Sequence, residues 1–165
     1  MYEPYPATGS AQEQQPQRLA PPRAVLTAVR LMYAGAALEL IALIVAVVST
    51  HSLKSTILEK HPDYTAAQLH DAEVARTVIL VIGALIAIGL WLWMARANGR
   101  GRSWARVVSA VLFGINTLDL LFSLGVARAP GNLIVGVVIW LVGLAAIVML
   151  FRKESGPFFT QPAPS

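Results

Sequence analysis

Four long segments of the chain consist almost entirely of apolar residues, and they constrain its fold more than any other feature. Each is about 20 residues long, the length that an α-helix needs to cross the hydrocarbon core of a bilayer. The apolar runs are continuous rather than alternating, which favours helices over the strands of a membrane barrel. We therefore predict an all-α bundle of four transmembrane helices, with spans at about 28–50, 75–95, 105–125 and 131–151.

The composition is that of a protein whose surface is solvated by lipid. Of the 165 residues, 56% are hydrophobic and 13% are charged, whereas ordinary soluble domains carry about 25% charged residues. The chain has no cysteine, which excludes disulfides, zinc–thiolate sites, iron–sulfur clusters and thiol nucleophiles. The GxSxG motif of serine hydrolases and the phosphate-binding P-loop are also missing from the sequence. We therefore expect neither an enzyme nor a bound cofactor.

The basic residues predict the side of the membrane on which each connection lies. Lys and Arg are enriched in the cytoplasmic loops of membrane proteins. With a cytoplasmic N-terminus, nine of the 13 Lys and Arg residues fall on the cytoplasmic side, four of them in the short loop 96–106. Trp91, Trp93 and Trp104 flank this loop, as interfacial anchors do. We predict that both termini are cytoplasmic, and that membrane topology rather than nucleic-acid binding explains the net charge of +4.

The chain divides into a membrane domain, 24–153, and two Pro-containing tails, 1–23 and 154–165, which are predicted to be disordered and cytoplasmic. The long connection between the first two spans is an outer loop over residues 51–74. Within it, Pro62 and Asp63 are expected to end a short surface helix. Thr65 and Gln68 have the spacing of a capping box, which predicts a helix that runs into the second span. On the opposite side, Asn98 to Gly101 are predicted to form a turn.

Two carboxylates interrupt the apolar segments. Glu39 lies near the middle of the first span and Asp119 near the middle of the third. An ionised carboxylate at that depth costs at least about 2.5–3.5 kcal/mol, and the apolar segments 31–50, 77–95, 107–127 and 129–151 contain no Lys or Arg to neutralise it, the nearest lying at their flanks. Each side chain must therefore be protonated, bind a cation or accept hydrogen bonds from a neighbouring helix.

Helical periodicity places these carboxylates in the interior of the predicted bundle. Small residues share one stripe of the first helix with Glu39, and Asn116 shares a stripe with Asp119. Small residues beside polar ones are typical of helix contact faces in membranes. Trp140, in the middle of the fourth span, is a nearby hydrogen-bond donor. Three interpretations of this polar cluster stay open: a hydrogen-bonded lock between helices, a proton or cation relay, and a contact site for another membrane protein.

The three histidines all belong to the outer loop. His51, His61 and His70 lie near Asp and Glu residues, which makes them weak candidates for zinc or manganese ligands or for a pH-sensing loop. Their spacing matches no metal-binding motif such as HExxH. We interpret them as solvated polar residues and predict no metal site.

The arginine-rich loop and its flanks carry a resemblance to a known group of proteins. Residues 89–106 read GLWLWMARANGRGRSWAR, residues 113–118 read FGINTL, and a Pro- and Gln-rich head precedes the first span. These segments resemble uncharacterised four-span integral membrane proteins of actinobacteria, and the likeness covers most of the chain. It implies a bacterial plasma membrane and assigns no functional residue.

The function class expected from the sequence is a non-enzymatic structural or accessory protein of the plasma membrane. Its partners would be the lipid bilayer and either a second copy of the chain or another membrane protein. The alternative is a small proton- or cation-coupled transporter that uses Glu39 and Asp119. These two classes differ in what surrounds the carboxylates, which is a dry helix contact in the first class and a cavity in the second.

Overall fold

Four long helices make up most of the structure. The computed structural model describes residues 20–48, 57–59, 61–125 and 130–160, and in this part of the chain every regular element is helical. The long helices are α1 (Arg23–Val48), α2 (Ala66–Gly99), α3 (Ser103–Gly125) and α4 (Pro130–Leu150). All four have the length and apolar character of membrane spans. The prediction of an all-α, four-helix membrane protein is confirmed.

The second helix begins at Ala66, directly after the predicted cap at Thr65 and before the predicted span. The side chain of Thr65 accepts a hydrogen bond from the Gln68 backbone N–H at 3.4 Å, and Gln68 Oε1 accepts one from the Thr65 N–H at 3.0 Å. The predicted capping box is therefore confirmed. With 34 residues, α2 is about 51 Å long, so it extends beyond a hydrocarbon core of about 30 Å. The outer loop is correspondingly shorter than predicted.

Helix α1 lies between α2 and α4 and makes the most extensive contacts of the bundle with both. Helix α3 packs against α4 and only lightly against α2. Helices α1 and α3 are therefore diagonal to each other, and the space between them is bordered by all four helices. Glu39 therefore lies on one of the two diagonal helices and Asp119 on the other.

The buried core lies towards the end of the bundle that carries residues 96–106, which we call the arginine-rich end. Its interior is built largely from small residues, as is usual where membrane helices approach closely. The residues of this core are Val25, Ala28, Met32, Met94, Ala95, Ala97, Ala105, Ala146, Leu150 and Phe159. Large aliphatic side chains elsewhere on the four helices are exposed, which suits a surface solvated by lipid.

The connection between α2 and α3 is a tight turn at Gly101, which has a φ of +70°. This is the left-handed region that glycine adopts without strain. A Cβ at this position would also lie 3.0 Å from the backbone oxygen of Phe158. The turn is shorter than predicted, because Asn98 and Gly99 still belong to α2.

Residues 151–160, which follow α4, are ordered, and this corrects the prediction of a disordered tail for residues 154–160. A 3₁₀ turn (Lys153–Ser155) leads into the short helix α5 (Gly156–Phe159). The Ser155 hydroxyl donates a hydrogen bond to the Met149 carbonyl oxygen at 3.0 Å, and Phe159 is buried in the core. Pro157 does not prevent this fold, because it occupies the first turn of α5, where proline is tolerated. Two adjacent phenylalanines supply the apolar surface that holds the segment.

The structure describes only part of the predicted outer loop and of the two predicted tails. Residues 57–59 are helical, Ile57 is buried, and a turn follows at Pro62 and Asp63, as predicted. Of the predicted tail 1–23, residues 1–19 lie outside the described part of the chain, and α1 already begins at Arg23. Residues 161–165 of the second tail also lie outside it.

Candidate intramembrane cavity

A cavity of about 290 Å³ lies within the bundle and is lined by all four helices. Its wall combines apolar side chains with four polar ones and includes no Lys, Arg or His. The polar members are Glu39, Ser109, Asn116 and Asp119; the others are Met32, Ala87, Leu90, Trp91, Met94, Leu112, Phe113, Ile115, Gly143, Ala146 and Ile147. Three of the four side chains predicted as a polar cluster thus border one space.

The two carboxylates border this cavity from diagonally placed helices. Glu39 is half-buried on α1, whereas Asp119 is exposed on α3. Within the described residues, neither carboxylate forms a hydrogen bond or an ion pair. The Ser123 hydroxyl donates a hydrogen bond to the backbone carbonyl oxygen of Asp119 at 2.6 Å, so this bond does not involve the Asp119 carboxylate. Two carboxyl groups, each of which can be ionised or protonated, therefore border the same space.

The cavity opens on the side of α2 and α3. These two helices contact each other much less than either contacts its other neighbour. The cavity residues Ile115, Asn116 and Asp119 are all exposed, which places them at this opening. In a bilayer, an opening in the side of the bundle faces lipid.

The aromatic wall of the cavity is formed by Trp91, whose indole is wedged between glycines of two other helices. A Cβ on Gly35 of α1 would lie 2.9 Å from the indole Cε2, and one on Gly143 of α4 would lie 3.6 Å from its Cη2. Trp91 is therefore not the interfacial anchor that its position beside the arginine-rich loop predicts. Positions 91 and 93 point about 200° apart on a helix, so only one of them faces outward. The stripe of small residues that includes Gly35 is the sequence signal that another helix packs closely there.

The other two tryptophans of the arginine-rich loop lie on the outside. Trp93 and Trp104 are exposed and pair with each other, with ring centroids 5.5 Å apart. Their position at the end of the bundle is typical of aromatic side chains at a membrane–water interface.

Trp140 does not line the cavity and does not bind either carboxylate. Its indole Nε1–H donates to the hydroxyl oxygen of Thr117 on α3 at 2.9 Å, and its ring lies 5.7 Å from that of Phe113. Thr117 in turn donates to the Phe113 carbonyl oxygen at 2.8 Å. Trp140 therefore joins α4 to α3. Thr117 was not predictable as this partner from the sequence, because a threonine within an apolar helix commonly bonds its own backbone.

Asn98 closes the cavity towards the arginine-rich end. This side chain is fully buried, and its amide donates to the Met94 carbonyl oxygen at 2.9 Å and to the Ser109 hydroxyl at 2.8 Å. Among the described residues, no group hydrogen-bonds its Oδ1. Met94, Ser109 and Met32, all adjacent to Asn98, also line the cavity. The sequence predicts Asn98 as the first residue of a turn, and a turn prediction does not indicate this buried contact.

The outer-loop histidines do not come together as a site in the described residues. His61 stacks on Tyr64 with ring centroids 4.6 Å apart, and His70 is exposed on α2. No group of three His or acidic side chains with the spacing of a metal site is found in that part of the chain. His51 lies outside it.

Comparison with known proteins identifies no relative of this chain. No protein-family model, no curated protein and no solved structure matches it. The resemblance to actinobacterial four-span proteins is therefore still a prediction. The function has to be inferred from the geometry of the bundle and its cavity.

Proposed function

We propose that this protein is a small, non-enzymatic membrane carrier that binds a proton or another cation between Glu39 and Asp119. One observation carries the proposal: both intramembrane carboxylates border the same cavity. A hydrogen-bonded lock between helices would instead place donors against them. Trp140, the donor expected from the sequence, bonds Thr117.

Charge balance makes a cation the natural occupant of the cavity. An ionised carboxylate near the bilayer centre costs at least about 2.5–3.5 kcal/mol, and the cavity wall supplies no basic side chain. One proton shared by Glu39 and Asp119, together with one further proton or monovalent cation bound between them, removes this cost. Uptake and release of that charge is the elementary step of a cation-coupled carrier.

The proposal places the carrier in a bacterial plasma membrane with both termini in the cytoplasm. The asymmetric distribution of Lys and Arg supports this orientation. The exposed pair Trp93 and Trp104 beside the arginine-rich loop is consistent with an interface at that end. The arginine-rich end is then the cytoplasmic end.

Proton flux into reconstituted vesicles tests this function. A potassium diffusion potential set by valinomycin drives the flux, and pyranine trapped in the vesicles records the internal pH. We expect wild-type protein to acidify the lumen, and Glu39→Gln and Asp119→Asn each to reduce the rate at least tenfold. Glu73→Gln and Asp71→Asn are matched controls, because both acids lie on the outer extension of α2. Equal rates for wild type, Glu39→Gln and Asp119→Asn would refute the carrier.

A role as accessory protein is the second candidate, and the exposure of Asn116 and Asp119 favours it. Both polar side chains lie at the open side of the bundle, where hydrocarbon would solvate them poorly. A polar helix of another membrane protein, or a second copy, would cover them. Native mass spectrometry of the protein from its own membrane tests this role. A stoichiometric complex that Asp119→Leu dissociates and the neighbouring Leu118→Ala does not would support it.

A further inference from the structure

The wall of the cavity is poorly suited to a bare metal ion. Hard cations such as Mg²⁺ and Ca²⁺ take six to eight oxygen ligands. Only four polar side chains line this cavity, and one of them, Ser109, is already engaged by Asn98. A space of about 290 Å³ is also far larger than a single ion needs. A proton alone, in turn, requires no cavity of this size.

The aromatic and sulfur-containing part of the wall points to an organic ligand. The indole of Trp91 is the ring type that binds cations most strongly through its face, and Gly35 and Gly143 hold it in place. Phe113 contributes a second ring, while Met32 and Met94 supply flexible, polarizable surface. These groups favour an organic cation with apolar substituents. They provide few hydrogen-bond partners for a hydrated inorganic cation.

The lateral opening between α2 and α3 suits a ligand that dissolves in lipid. Asn98 and its hydrogen bonds close the cavity at the arginine-rich end. Ile115, Asn116 and Asp119 are exposed on the α3 side of the opening. A ligand that partitions into the bilayer reaches Asp119 and then Glu39 without crossing the closed end.

We propose that the cavity binds a small organic cation with one apolar ring, which enters from the lipid and pairs with Glu39 and Asp119, the two carboxylates sharing one proton. The inference rests on the proposed cation site and names its substrate class. The cavity volume is at the lower end of the range for ligand pockets, about 300–1,000 Å³. It therefore favours a single ring with a compact cationic head over a larger molecule.

Benzyltrimethylammonium and its uncharged isostere neopentylbenzene provide a matched pair of probes. Isothermal titration calorimetry of the full-length protein in nanodiscs, with empty nanodiscs subtracted, measures the binding of each. We expect the cation to bind at least tenfold more tightly than the isostere. Glu39→Gln and Asp119→Asn should each weaken cation binding at least tenfold, and Glu73→Gln should leave it unchanged. Trp91→Leu should weaken it about tenfold, whereas Trp91→Phe should retain part of the affinity.

The wild-type protein alone provides a second measurement that does not depend on folded variants. Benzyltrimethylammonium should inhibit the proton flux described above, and neopentylbenzene should not. Equal binding or equal inhibition by the two probes would overturn the inference. Proton flux without binding of the cation would overturn the substrate class and leave the carrier intact. Binding of the cation that requires both carboxylates, without flux, would uphold the substrate class and overturn the carrier.

Discussion

The indole of Trp91 lies so close to Gly35 that a Cβ on Gly35 would come within 2.9 Å of the indole Cε2. This contact joins α2 to α1 beside the cavity, four residues from Glu39. Only hydrogen at position 35 permits it. The position of Trp91 in the cavity wall therefore depends on glycine, which has no Cβ, at position 35.

Replacing Gly35 with alanine is expected to destabilise the bundle, although alanine is the better helix former. Real Cβ atoms do not approach ring carbons to 2.9 Å, and overpacking of this kind costs about 1–3 kcal/mol. Gly83→Ala is the control, since a Cβ there meets nothing within 4 Å and gains helix propensity. Titration with sodium dodecyl sulfate, followed by circular dichroism, measures both free energies of unfolding. A Gly35→Ala variant as stable as Gly83→Ala would contradict the close contact.

The hydrogen bond between Trp140 and Thr117 should contribute measurably to the packing of α4 on α3. Trp140→Phe and Thr117→Val are each expected to lower the free energy of unfolding by about 0.5–1.5 kcal/mol. A double-mutant cycle should give a coupling energy of about 0.6 kcal/mol, as is usual between membrane helices. Thr27→Val is the matched control, because Thr27 bonds only the backbone of its own helix. If the effects of the two single substitutions on the free energy of unfolding were strictly additive, the hydrogen bond would contribute nothing to stability.

Asn98→Ala should destabilise the arginine-rich end of the bundle by about 1–3 kcal/mol, because Ser109 loses its partner in a buried site. Asn116→Ala, which removes an exposed amide, should change stability by less than about 0.5 kcal/mol. The same titration measures both variants. Loss of Asn98 should also open the closed end of the cavity to water. A similar stability for the two variants would argue against Asn98 as the closure.

The segment after α4 should resist proteolysis as long as Phe159 is buried. Trypsin recognises Arg152 and Lys153, but cleavage of a helical turn requires local unfolding. Phe159→Ala removes a core side chain and should speed cleavage there at least tenfold, as followed by mass spectrometry. Glu154→Gln, an exposed substitution in the same turn, should leave the rate unchanged. Rapid cleavage of the wild-type protein at these sites would contradict the docked segment.

The helices and their starts were predictable because they depend on local chemistry. Apolar runs of about 20 residues predict spans whatever their neighbours are, and the capping box of Thr65 and Gln68 involves residues only three positions apart. The C-terminal segment was not predictable in this way. Its proline content suggested disorder, whereas its order depends on burial of Phe159 in a core to which all four long helices contribute.

The candidate site was predictable only in its composition. The high cost of a charge in lipid singles out Glu39 and Asp119 in the sequence. That both carboxylates border one cavity follows from the helix order, in which α1 and α3 are diagonal. The roles of Trp91 and Trp140 depend on which helix each ring meets, and no local pattern specifies that.

The amino-acid sequence by itself therefore determined the class of protein, the four spans and the two carboxylates within them, because hydrophobic length and charge act residue by residue. The tertiary structure alone decided that a cavity separates those carboxylates, that Trp91 forms its wall and that Asn98 closes one end. These features arise from packing between helices distant in sequence. In lipid, such packing depends on close fit and hydrogen bonds rather than on burial of apolar surface from water.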